Sequence, residues 1–153
     1  IMALMQPLFP AVPAKIYKSA PPPGPVEPSQ PTMKRIRSRG AIRVGYIGDV
    51  RPFSFFNAQG ELVGLDAEMA HILARSLGVS LEFVPVDHSK MFEQLNGGYC
   101  DIIMSGIVVT PERAEVVRLS APYLEMTLAF VVQDYRRGEF GSREALQKLK
   151  APK

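Results

Sequence analysis

Cysteine occurs once and histidine twice in the 153 residues of this chain. A single thiol, Cys100, excludes an internal disulfide, and its place beside a short apolar run reads as a small buried hydrophobe. His71 and His88 lie too far apart in sequence for a helix-borne metal pair, so neither a metal site nor a cofactor is expected. A Gly-x-Gly-x-x-Gly run is also missing: Gly45 and Gly48 follow a strand pattern without completing a dinucleotide loop. The apolar stretch 1–17 is broken by Gln6, Pro7, Pro10 and Pro13, so it is too short to span a bilayer, and it lacks the charged start of a signal peptide. Acid is scarce at the front of the chain. Residues 1–43 carry seven of the eighteen Lys and Arg but, of the fifteen acids, only Glu27. The basic pI of about 9.1 therefore belongs to the leader. Lys34, Arg35, Arg37, Arg39 and Arg43 have no interleaved aromatics and precede a strand, which argues against a nucleic-acid partner and for a solvated linker end.

What is abundant is proline, and nine of the fourteen prolines fall at or before Pro31. Residues 20–32 read as an extended polyproline-like spacer, which at ~3.1 Å per residue would reach on the order of 40 Å. With Ile1 rather than Met first, the expectation is a piece of a longer protein.

From about Met33 the pattern becomes globular. Ala41 to Ile47 reads as a strand, and Asn57-Ala-Gln-Gly60 as a turn between short strands. Asp66 reads as the N-cap of a helix whose core stripe is Leu65, Met69, Ile72, Leu73 and Leu77, stopped by Gly78. A strand over Val79 to Val86, a helix over Ser89 to Leu95, a strand at Ile102 to Met104 and a helix over Pro111 to Val117 follow. This β-α-β-α-β-α rhythm predicts a mostly parallel sheet flanked by helices, whose ligands bind beyond the carboxyl ends of the strands. Both 49–53 and 105–110 fall there. Met126 to Gln133 reads as a last strand, and Phe140 to Lys150 as a helix capped by Ser142 with Ala145, Leu146 and Leu149 on its apolar face.

Thr110-Pro111 is a helix start, with Thr at the N-cap and Pro first in the helix, which puts Arg113 in the first turn. A cation there faces the positive end of the helix dipole. Either Arg113 and the backbone N–H groups of 105–110 share an anion such as a carboxylate, or Arg113 curls out to Glu112 or Glu115 on a solvated face. Spacing alone leaves both open.

The order and spacing of several short pieces resemble the bacterial extracellular solute-binding family 3, the periplasmic amino-acid-binding proteins. The pieces are Ile42-Arg-Val-Gly-Tyr46, Arg51-Pro-Phe-Ser-Phe55, Gly60-Glu-Leu-Val-Gly-Leu-Asp-Ala-Glu-Met-Ala70, Leu95-Asn-Gly-Gly-Tyr-Cys-Asp101, Ser105-Gly-Ile-Val-Val-Thr-Pro-Glu-Arg113 and Ser120-Ala-Pro-Tyr123. The resemblance implies an α/β, type II periplasmic-binding-protein-like lobe, incomplete in this chain. It divides the chain into 1–32 (apolar stub and Pro-rich linker), 33–134 (first lobe) and 135–153 (start of a second lobe). It also implies that Arg113 clamps a ligand carboxylate, with Ser105, Gly106, Val108 and Thr110 beside it and Asp49, Val50, Phe53 and His88 contributing from the facing loops. Three positions depart from the family pattern. Val108 stands where many members have Thr or Ser, His88 where many have an aromatic ring, and Val50 where others have an aromatic, so an aliphatic or small polar ligand is as plausible as a cationic one. The implied function is extracytoplasmic binding of an amino acid or related carboxylate for a membrane transporter or fused membrane domain, in the periplasm and membrane-tethered. The alternatives are the ligand-sensing domain of a membrane receptor and, further off, an enzyme like cyclohexadienyl dehydratase. Asp49 and His88 are the only acid–base candidates in these loops, so no catalytic residue is assigned.

Overall fold

The computed structural model describes residues 13–23, 31–127 and 131–148, which fall into two compact units, one reaching Leu119 and the other starting at Ser120. In the first unit the order is β1 (Ala14–Ile16), α1 (Thr32–Arg39), β2 (Ala41–Tyr46), β3 (Asp49–Val50), β4 (Ser54–Phe56), β5 (Leu62–Val63), α2 (Leu65–Leu77), β6 (Ser80–Pro85), α3 (Met91–Asn96), β7 (Ile102–Ile103) and α4 (Pro111–Val116). Four strands form a parallel sheet in the order β1-β6-β2-β7, and β3-β4-β5 form a small antiparallel sheet.

β2 and β6 alternate across two cores, as strands buried on both faces must. Ile42, Val44, Tyr46, Leu81 and Phe83 point into one, which α1 and α2 cover with Ile36, Ala67, Ala70 and Ala74. Val84 and Val86 point into the other with Met91 and Cys100, and Tyr17, Ala20, Phe92 and Ile107 pack around them. Because β7 pairs with β2 on the side away from β6, the strand order reverses at β2, and the loops after β2 and β7 leave the same end of the sheet.

Several expectations need correction. The folded part does not begin near Met33: Ala14–Ile16 is an edge strand on β6, in register Ala14 with Leu81, and Tyr17 N–H donates to Phe83 O at 2.9 Å. All three strand residues are exposed, so no buried pattern announces them. The basic stretch 34–39 is a helix rather than a linker end. Ile36 anchors it, and Arg35 and Arg39 reach the buried carboxylate of Asp101. On α2 the face against the sheet is Ala67, Ala70 and Ala74, with Leu73 and Leu77 at its margin; Leu65 and Ile72 are exposed. Small residues let the helix axis approach the strands, so the largest apolar side chains do not mark the contact. Nor is Asp66 the cap of α2. The first N–H groups of that helix donate to backbone carbonyls, Leu65 to Pro52 O at 3.0 Å and Asp66 to Phe53 O at 2.9 Å, with Gly64 at the N-cap. At φ 124° and with Phe53 O only 2.4 Å from where a Cβ would sit, position 64 accepts nothing but glycine.

The Asn57 turn forms as expected, its Oδ1 accepting from Gln59 N–H and Glu61 N–H. In the second unit, Asp134–Phe140 is a 3-10 helix and Arg143–Lys148 an α-helix, α5, whose N-terminal cap is Ser142 Oγ accepting from Ala145 N–H at 3.1 Å. Of the strand expected over 126–133, residues 128–130 lie outside the described residues, and the others carry no strand. Val131 is fully exposed.

Candidate functional site

The loops after β2 and β7 are joined by a buried polar knot. Ile47 N–H donates to Ser105 Oγ at 3.1 Å, Ser54 Oγ donates to Ile47 O at 2.8 Å, and the two serine hydroxyls lie 2.5 Å apart. Ser54 and Ser105 are both buried. One residue on, Gly106 turns with φ 62° and donates its N–H to Asp66 Oδ2 at 2.6 Å. A Cβ at 106 would lie 2.6 Å from the Phe53 ring, so glycine is required by both conformation and contact. Phe53 is thus a buried wedge under this turn, while its carbonyl receives the start of α2.

Beyond the turn the chain opens. Val108 and Val109 are exposed, and the backbone N–H groups of Val108 and Thr110 have no hydrogen-bond partner among the described residues. Thr110 caps α4 as its sequence predicts, Oγ1 accepting from Arg113 N–H at 3.3 Å. Glu112 folds toward the same cap: hydrogen bonds from its own N–H and from the Thr110 hydroxyl hold its carboxyl below the usual range. Arg113 turns to neither Glu112 nor Glu115. Its Nη1 donates to Val108 O at 2.7 Å and its guanidinium lies 5.9 Å from the centre of the Phe92 ring. Half-buried, it forms no ion pair with an acid among the described residues.

The remaining expected residues are less engaged. Val50 is half-buried in β3, opposite Ser54. Asp49 is 80% exposed and 3.5 Å from Arg51. His88 lies on the exposed turn 87–90, where the neighbouring Asp87 carboxylate is held below its usual range by hydrogen bonds from Ser89. Among the described residues no three His, Cys, Asp or Glu gather as a metal site. An arginine with unused N–H donors, over a loop with free backbone N–H groups, can bind a carboxylate or similar anion.

Residues 42–149 match the bacterial extracellular solute-binding proteins, family 3, over most of the chain. The chain belongs to that family. Cyclohexadienyl dehydratase of Pseudomonas aeruginosa is 38% identical over 92 residues, which are 60% of this chain and 34% of that protein. L-cystine-binding protein TcyJ of Escherichia coli strain K12 is 28% identical over 121 residues, 79% of this chain and 44% of that protein. The matches thus cover about a third to under a half of the length of these relatives. Among solved structures, the arginine-bound form of domain 1 from TmArgBP superimposes with a TM-score of 0.57 at 39% identity, covering 58% of this chain and 71% of that one. The fold is therefore that of a type II periplasmic-binding-protein lobe.

Within this solute-binding lobe, sequence reasoning missed three supports of the site. Phe92 reads as one apolar residue of a short helix, and Ser54 as a polar residue of a strand. Asp66 sits at a helix start, where the expectation of a cap hides its actual partner, forty residues away. Only the Gly64-Leu-Asp66 run, matching the family pattern, hinted that this aspartate matters.

Proposed function

We infer that residues 33–134, together with β1 on the edge of their sheet, are the first lobe of an extracytoplasmic solute-binding protein, with 135–153 opening a second lobe, and that Arg113 holds the carboxylate of an amino acid or related small solute. The observation that carries this reading is the Arg113 guanidinium, drawn back over the 105–110 loop by Val108 O and Phe92 and left without an acid among the described residues. The Val108 and Thr110 N–H groups would complete the anion's shell, with Val108, Val50, Asp49 and His88 bordering the rest of the ligand. Ser105, Gly106 and Phe53 shape the floor beneath it. The ligand would be passed to a membrane transporter from the periplasm; a receptor's sensing domain would use the same site. The relative at 38% identity favours a second reading, a dehydratase-like enzyme. That chemistry needs a positioned acid or base, whereas Asp49 and His88 are both exposed.

One lobe of a two-lobed cleft is expected to hold ligand weakly, yet domain 1 from TmArgBP has an arginine-bound form, so the test can be made on this chain. L-arginine, L-leucine and L-glutamine are each titrated beside their carboxamides. The acid of at least one pair should bind and its amide should not. Losing one partner of a desolvated charge pair costs ~2–5 kcal/mol, so Arg113→Ala should weaken binding by roughly 30-fold to several thousand-fold. Arg113→Lys should recover only part, because an ammonium lacks the planar fork. Equal affinity for acid and amide would remove the assignment.

A further inference from the structure

The 105–110 loop is fastened from a remote element by one buried side chain. Asp66 is fully buried at the second position of α2, and it accepts the Gly106 N–H at 2.6 Å across forty residues of sequence. A buried carboxylate is costly unless hydrogen-bonded, and the start of α2 favours its negative charge. We propose that Asp66 is the positioning residue of the binding loop: by holding Gly106, it fixes where the Val108 and Thr110 N–H groups and the Arg113 guanidinium stand. This deepens the carboxylate reading above and rests on it.

Three features make the link mechanical. The α2 start is itself fastened to the facing loop through Pro52 O and Phe53 O. The Phe53 ring fills the underside of Gly106, so the turn has no space to settle inward. Ser105, immediately before, is pinned to Ile47 and Ser54. Between these anchors and the Thr110 cap, Ile107 packs on the second core and the exposed Val108 and Val109 are left to respond. The Asp66 bond is the last backbone hydrogen bond before them. A neutral side chain with an acceptor in the same place should therefore keep the loop nearly in register, and one without an acceptor should release it.

The test uses the whole chain as wild-type, Asp66→Asn and Asp66→Ala. Gly106 amide exchange and the amide signals of 105–110 are followed by NMR, and affinity for L-arginine, L-leucine and L-glutamine by calorimetry, at a temperature where circular dichroism shows each variant folded. Asp66→Ala should speed Gly106 exchange at least tenfold, shift the Val108 and Thr110 amides, and weaken amino-acid binding at least tenfold. Asp66→Asn should move the Gly106 signal and stay within about threefold of wild-type affinity. If Asp66→Ala does not fold, Asp66→Asn decides, and unmoved 105–110 signals in that variant overturn the proposal. So does a folded Asp66→Ala chain that binds like wild-type. Failure of the carboxylate reading looks different: the wild-type binds none of the three amino acids, and the loop signals alone then judge the role of Asp66.

Discussion

Asp101 is the residue whose loss should most disturb the first unit. Its side chain is 2% exposed and collects Arg35 through Nε and Nη2 at 3.1 and 2.9 Å, Arg39 through Nη2, and the Arg43 backbone N–H at 2.8 Å. One carboxylate thereby joins α1, the start of β2 and the approach to β7. Breaking a buried pair by deleting one partner costs ~3–5 kcal/mol. Arg35 and Arg39 are only partly buried, 15% and 23% exposed, so both can swing toward water. The Arg43 N–H cannot leave, and an unsatisfied backbone donor costs ~1–3 kcal/mol. Asp101→Ala should therefore lose ~2–4 kcal/mol, and Asp101→Asn, which still offers an acceptor to Arg43, about half of that. The assay is urea unfolding followed by near-ultraviolet circular dichroism of the tyrosines, with Tyr46 inside the same core, read as a midpoint shift at constant slope. Combining Asp101→Ala with Arg35→Ala should cost clearly less than the sum of the two, as residues in contact do. A loss below ~0.5 kcal/mol, the level of an ordinary surface change, would refute the clamp.

Two further outcomes follow from titrating groups in the core. His71 packs edge-on to Phe83 with Nδ1 buried and without a partner among the described residues; burial lowers its pKa, with Glu68 opposing and Arg75 assisting. The folded chain then binds fewer protons than the unfolded one below about pH 6.5. Stability should fall as pH drops through that range, and His71→Phe should flatten this part of the dependence; an unchanged slope between pH 7.5 and 5.5 counts against it. Burial, and secondarily Asp101, pushes the Cys100 thiol up to about 12. Native chain should resist thiol reagents at pH 8 and react only on unfolding, and since the unfolded thiol ionises first, stability should decline as pH climbs from the ordinary thiol range toward 12. Rapid labelling of the native chain would show that Cys100 is not where the core places it.

Periodicity was enough for the alternation of strands and helices and for the parallel sheet, because buried strands and capped helices leave short-range marks. Thr110-Pro111 announced α4 and its cap, and Asn57 to Gly60 announced their turn, since both depend on residues within four positions. The family resemblance rested on spacing over the same range and named the loops that the strand ends bring together. Tertiary structure decided the rest, and in each case the partner is remote. β1 has no buried side chain and exists only because β6 offers its edge. Arg35 and Arg39 read as linker charges until Asp101, more than sixty residues on, gives them an acceptor. Ser105 and Gly106 look like ligand contacts in sequence, but Ser54, Ile47 and Asp66 claim the Ser105 hydroxyl and the Gly106 N–H. Arg113 keeps its donors for the opposite reason: Val108 O takes one N–H, and no acid among the described residues comes close enough to pair with it. A hydrogen bond or an ion pair is specific to its partner and carries no periodicity, so its choice of partner is fixed only when the chain has folded.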